Sequence, residues 1–68
     1  EELAKEYYTM GVEWKDAADE ARGRGRKEKK REYVKKALAY FEKAEELGNA
    51  QATQMINVLQ SDKNYQED

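Results

Sequence analysis

From Leu3 onward the apolar residues recur at alternating steps of four and three: Leu3, Tyr7, Met10, Trp14, Ala17 and Ala21. A period of about 3.6 residues places such positions on one stripe, so the spacing predicts an amphipathic helix over about residues 2–22. Gly23 and Gly25 follow the last of them, and glycine enters the left-handed conformation that closes a helix at no steric cost. A second run, Tyr33, Val34, Ala37, Leu38, Phe41, Ala44 and Leu47, keeps the same period with Lys and Glu on its other faces. It predicts a helix over about 28–47 whose first turns reach toward a basic stretch. Gly48 then reads as a C-terminal cap and Asn49 as an N-cap, so a third helix starts with almost no linker and the chain turns a corner. Ala52, Met55, Ile56 and Leu59 give that helix, at about 50–60, its apolar face. After it, residues 61–68 offer only Tyr65 for packing and are expected to fray. The pattern predicts an all-α protein: an antiparallel helical hairpin plus a third helix, in one domain over residues 1–60.

Length and composition narrow what such a domain can do. Its 68 residues leave room for one core. With no Cys and no His, the chain has no thiolate or imidazole for nucleophilic catalysis or metal ligation. The carboxylate groups Asp16, Asp19 and Glu20, and Glu42, Glu45 and Glu46, read as solvated helix charges beside lysines. No enzyme, cofactor or metal is therefore expected. No run approaches the roughly 18 apolar residues of a membrane span, so a soluble chain is expected, cytoplasmic by default.

Charge is segregated along the sequence. Residues 1–21 hold seven acids against Lys5 and Lys15, whereas residues 22–31 hold seven cations against Glu28 alone. Those cations are Arg22, Arg24, Arg26, Lys27, Lys29, Lys30 and Arg31. With Gly23 and Gly25 among them, residues 22–31 read as a flexible solvated loop, or as a patch that docks on nucleic acid or on an acidic protein. No aromatic is interleaved to stack on bases, which places nucleic acid second.

The first helix contains Tyr7-x-x-Met10-Gly11-x-x-Trp14 and the second Ala37-x-x-x-Phe41-x-x-Ala44. Together these resemble the helical hairpin of the tetratricopeptide repeat. The physics of packing agrees. Gly11 costs about 1 kcal/mol relative to alanine inside a helix, and a close approach of the second helix, smooth along Ala37 and Ala44, would compensate. Tyr7, Met10, Trp14 and Phe41 would fill the space on either side of that seam. The Gly48-Asn49 junction, followed by Ala50 and Ala52, looks more like the Sel1-like branch, which joins its helices through such a step. Met55 and Leu59 each lie 45 residues after Met10 and Trp14, so the third helix reads as the start of a second unit. The connection over residues 22–32 reads as longer than the tight turn of an ordinary repeat, which Sel1-like repeats tolerate.

The resemblance implies a non-catalytic protein-interaction module. In that family the first helix of a hairpin lines a concave groove, and the positions that match are Lys5, Tyr8, Val12, Lys15 and Asp16. Tyrosine flanked by lysines suits an extended peptide bearing carboxylates. The competing expectation is that Tyr8 and Val12 pack against the third helix, leaving both lysines as solvated charges. Partners implied are another protein or an acidic peptide, adjacent repeats of a longer chain, or weak self-association of a monomer. The alternatives are nucleic-acid or ribosome binding through residues 22–31, and a purely structural or designed three-helix bundle.

Overall fold

The computed structural model describes residues 2–65. They form α1 (Glu2–Gly23), α2 (Lys27–Glu46) and α3 (Ala50–Ser61), closed by a 3₁₀ turn at Lys63–Tyr65. α1 and α2 pack along each other as an antiparallel hairpin, and α3 folds back chiefly against α2. The molecule is 36 Å in its longest dimension, close to the roughly 33 Å that a 22-residue helix spans at 1.5 Å per residue.

Both corners use one device. After α1, the Gly25 amide donates to Arg22 (3.1 Å) and the Arg26 amide to Ala21 (2.9 Å). After α2, the Gly48 amide donates to Glu45 (2.9 Å) and the Asn49 amide to Ala44 (3.0 Å). These paired bonds are the Schellman closure, which needs a left-handed residue at its apex. Gly25 (φ 74°) and Gly48 (φ 101°) supply it. The residue after each glycine then serves as N-cap of the next helix, Arg26 for α2 and Asn49 for α3.

That device corrects the expected loop. Residues 22 and 23 belong to α1, residues 27–31 to α2, and only residues 24–26 connect them. The connection is as tight as an ordinary helical hairpin needs. Glycine content and charge suggested flexibility, but Gly23 sits in the last helical turn and only Gly25 breaks the helix.

The core runs along a seam of small residues. Ala4, Gly11 and Ala18, spaced by seven, are buried on α1; Ala37 and Ala44 are fully buried on α2. Phe41 lies between them at 0% exposure, its ring directly over Gly11, where a Cβ would fall 2.6 Å from Cε1. The close approach expected at Gly11 is therefore present. The stripe read from the large residues is a flank of this seam and not its centre: Tyr7, Met10, Trp14 and Ala17 are half-buried, and Leu3 is 54% exposed. The residues with the least side chain take the line of closest helix contact because only they let the backbones meet.

α3 contributes Ala52, Ile56 and Leu59 to the same core. The Asn49 side chain accepts from the Ala52 amide at 3.1 Å, satisfying one of the free donors at the helix start. The Thr53 hydroxyl donates to Glu45 at 2.6 Å, tying α3 across the corner to α2.

The chain beyond α3 is docked as far as Tyr65, contrary to the expected fraying over residues 61–68. Ser61 closes α3, and Tyr65 is buried to 9% exposure with its hydroxyl donating to Asp19 of α1. A single aromatic with one hydroxyl partner is enough to pin a short polar segment. Residues 66–68 of the expected tail lie outside the described residues.

Candidate interaction surfaces

The five α1 positions singled out for a groove separate into two environments. Lys5 and Tyr8, with Ala4, line a shallow groove of about 460 Å³ whose other wall is the corner Gly48, Asn49, Ala50 and Gln51. Tyr8 is half-buried because its ring rests on Phe41, with centroids 5.6 Å apart, while Lys5 is exposed. Val12, also half-buried, packs against the core at the next turn. The ring of Tyr8 thus rests on α2, where packing against the third helix was the competing expectation, and the same residue lines the groove.

Lys15 is not open to a ligand in the same way. Its Nζ lies 3.3 Å from Asp19 Oδ2 and 5.4 Å from the centre of the Tyr65 ring. Burial by itself would lower the ammonium pKa, but Tyr65 and the Asp19 carboxylate outweigh it and hold the group above its ordinary value. Burial first, and then the hydrogen bond to Asp19, push the Tyr65 phenol up. Neither Lys15 nor its partners line the groove. Asp16 is exposed on α1. Sequence reading missed Tyr65 and Asp19 as partners because they are separated by 46 positions, and no local spacing links them.

The seven cations gather around the α1–α2 corner. Six are exposed; Lys30 is buried, at 5% exposure, and so does not belong to the exposed patch. Arg24 pairs with Glu20 at 3.5 Å across the surface. Glu20, Arg24, Arg26 and Lys29 share the wall of a small cleft of about 160 Å³.

The opposite flank of the hairpin, away from α3, carries an aromatic surface in which Tyr7 and Trp14, expected to pack the hairpin, meet two tyrosines of α2. Tyr7 meets Tyr40 at 6.2 Å between ring centroids and Trp14 meets Tyr33 at 5.4 Å. The Lys36 ammonium lies over the Trp14 ring at 5.3 Å.

Among the described residues no helix is long and apolar enough to cross a membrane, and no group of three or more acidic residues is placed to hold a metal ion. Fold and surfaces together define a small all-α protein: a helical hairpin with a third helix docked on it. No family model matches the chain, and no curated protein or solved structure matches it.

Proposed function

We propose that this protein is a non-catalytic protein-interaction module of helical-repeat type, which takes an acidic peptide segment in the groove between the start of α1 and the start of α3. The observation that carries this reading is the groove walled by Lys5, Tyr8 and the 48–51 corner. It offers an extended partner an aromatic surface, a flexible cation and the positive end of a helix. The hairpin's small-residue seam and the Gly48-Asn49 junction support the tetratricopeptide-like, Sel1-like reading of its architecture. Docking on adjacent repeats of a longer chain would use the same corner.

A nuclease-treated pull-down from native lysate tests this, with wild type, Lys5→Glu, Tyr8→Glu and a variant neutralised over residues 22–31 as baits. Lys5→Glu changes an exposed group only, whereas Tyr8→Glu also loses the ring contact with Phe41 and requires a helicity check. Expected is one set of proteins held by wild type and by the neutralised variant, and lost by both groove variants. Retention by both groove variants would end the groove reading.

The cluster of six exposed cations around one corner favours a second reading, polyanion binding at that end. It ranks lower because Glu20 sits among the cations and neutralises part of the field. Binding of single-stranded or duplex nucleic acid that weakens steeply with salt, and disappears on neutralising residues 22–31, would favour it over the groove.

A further inference from the structure

Among the described residues no helix lies over the aromatic flank of the hairpin, and its border is ordered by charge. Along the α1 edge stand Glu6, Glu13 and Glu20, spaced by seven and all exposed. Along the α2 edge stand Lys29, Lys36 and Lys43, spaced by seven and all exposed. Seven residues are almost two helical turns, so each set forms a straight row. The ring pairs fix how the rows align. Tyr7 lies against Tyr40 and Trp14 against Tyr33, so Glu6 is level with Lys43, Glu13 with Lys36, and Glu20 with Lys29. Between the rows run the half-buried Tyr7, Met10, Trp14, Tyr33 and Tyr40. Leu3 (54% exposed) and Leu47 (37% exposed) stand toward one end, where α1 begins and α2 has just finished.

We propose that this flank is the interface with a second copy of the chain, related by a two-fold axis that lies in the interface parallel to the helices. That rotation lays α1 of one copy over α2 of the other with levels preserved. Every glutamate of the acidic row then faces a lysine of the partner's basic row, and the two aromatic stripes meet to make a four-helix core. The alternative two-fold, perpendicular to the helices, would set acidic row on acidic row and basic on basic, which like-charge contact disfavours. An isologous pair needs a self-complementary surface, and the matched rows provide one. Lys36, already over its own Trp14, would sit between that ring and the partner's Glu13. The existing surface pairs Glu20–Arg24 (3.5 Å) and Lys43–Glu46 (3.9 Å) are solvent-exposed and weak enough to exchange.

Sedimentation equilibrium on the 68-residue chain at low salt, from micromolar to millimolar concentration, reads this directly. The expected result is a reversible rise to twice the monomer mass that weakens with added salt. Two charge-swapped chains separate this interface from any other: Glu6→Lys with Glu13→Lys and Glu20→Lys, and Lys29→Glu with Lys36→Glu and Lys43→Glu. Each alone should lose self-association by more than about a hundredfold, since every facing pair becomes repulsive. Mixed together, they should restore a heterodimer, because each chain's rows then meet opposite charge. All six positions are exposed, so circular dichroism should show unchanged helicity. A wild type that stays monomeric throughout overturns the proposal and leaves the flank to a neighbouring helical unit. Swapped chains that still self-associate, or a mixture that does not associate, overturn it equally.

Discussion

A methyl group added at residue 11 would meet the Phe41 ring at 2.6 and 2.7 Å, inside any distance that carbon atoms tolerate. Alanine is otherwise the better helix residue by about 1 kcal/mol, so Gly11→Ala sets propensity against packing. Phe41 is fully buried and has no open side into which to swing, and overpacking of this kind costs about 1–3 kcal/mol. Packing wins. Gly11→Ala is expected to destabilise the fold by about 1 kcal/mol, lowering Tm by roughly 4–8 °C. Combined with Phe41→Leu, which shrinks the opposing group, it should add little further loss, and thermal melts of the two single variants and the pair measure that coupling. The smallness of Gly11 was legible in the sequence, because a glycine in a helix calls for a compensating contact. The matching roles of Ala4 and Ala18 were not, because hydrophobic patterning gives weight to large side chains and the closest approach selects the smallest.

At the scale of elements, the two corners differ in one respect that matters energetically. Asn49 caps α3 with its side-chain oxygen, whereas Arg26, in the equivalent place before α2, makes no side-chain cap bond. α2 moreover begins with Lys27, Lys29 and Lys30, cations set against the positive end of the helix dipole. Arg26→Asp is therefore expected to stabilise the protein by about 1 kcal/mol, through a cap oxygen and a favourable charge at once. Urea denaturation followed by far-UV circular dichroism checks it, and an unchanged or lower midpoint would show that Arg26 makes a compensating interaction in the folded state. The basic residues read as a loop for a similar reason: their charge advertised solvent, and exposed helix turns are as well solvated as loops. What distinguishes them is the Schellman closure at Gly25, which ends one helix and starts the next within three residues, 24–26.

Across the whole molecule, one cluster holds the C-terminal turn to the hairpin. Tyr65 donates to Asp19, Asp19 pairs with Lys15, and Lys15 lies against the Tyr65 ring. Tyr65 and Lys15 both hold their protons more tightly in the folded chain than at their ordinary values of 10.0 and 10.5. Above pH 10.0 the unfolded chain therefore binds fewer protons than the folded one, and stability falls as pH rises. Below that value the contribution of both groups is complete, so they leave stability flat through neutral pH. Tyr65→Phe removes the phenol and its hydrogen bond. It should lower stability at pH 7 by about 1 kcal/mol, flatten the alkaline decline, and speed amide exchange at residues 62–65 more than in α2. Equal alkaline slopes for the two proteins would assign the decline to other groups.

The sequence by itself determined three helices, their approximate limits, the glycines at both corners and the asparagine cap. It also determined that a glycine in α1 must meet a close neighbour. Each of these follows from interactions within a few residues, where spacing and backbone preference suffice. Only the tertiary structure decided which stripe of α1 is the core, that Lys15 belongs to a closed cluster while Lys5 and Tyr8 face a groove, and that acidic and basic rows border one aromatic flank. Those outcomes depend on how far α2 and α3 rotate about α1, and that rotation is fixed by the packing of small residues across the seam, which joins positions far apart along the chain.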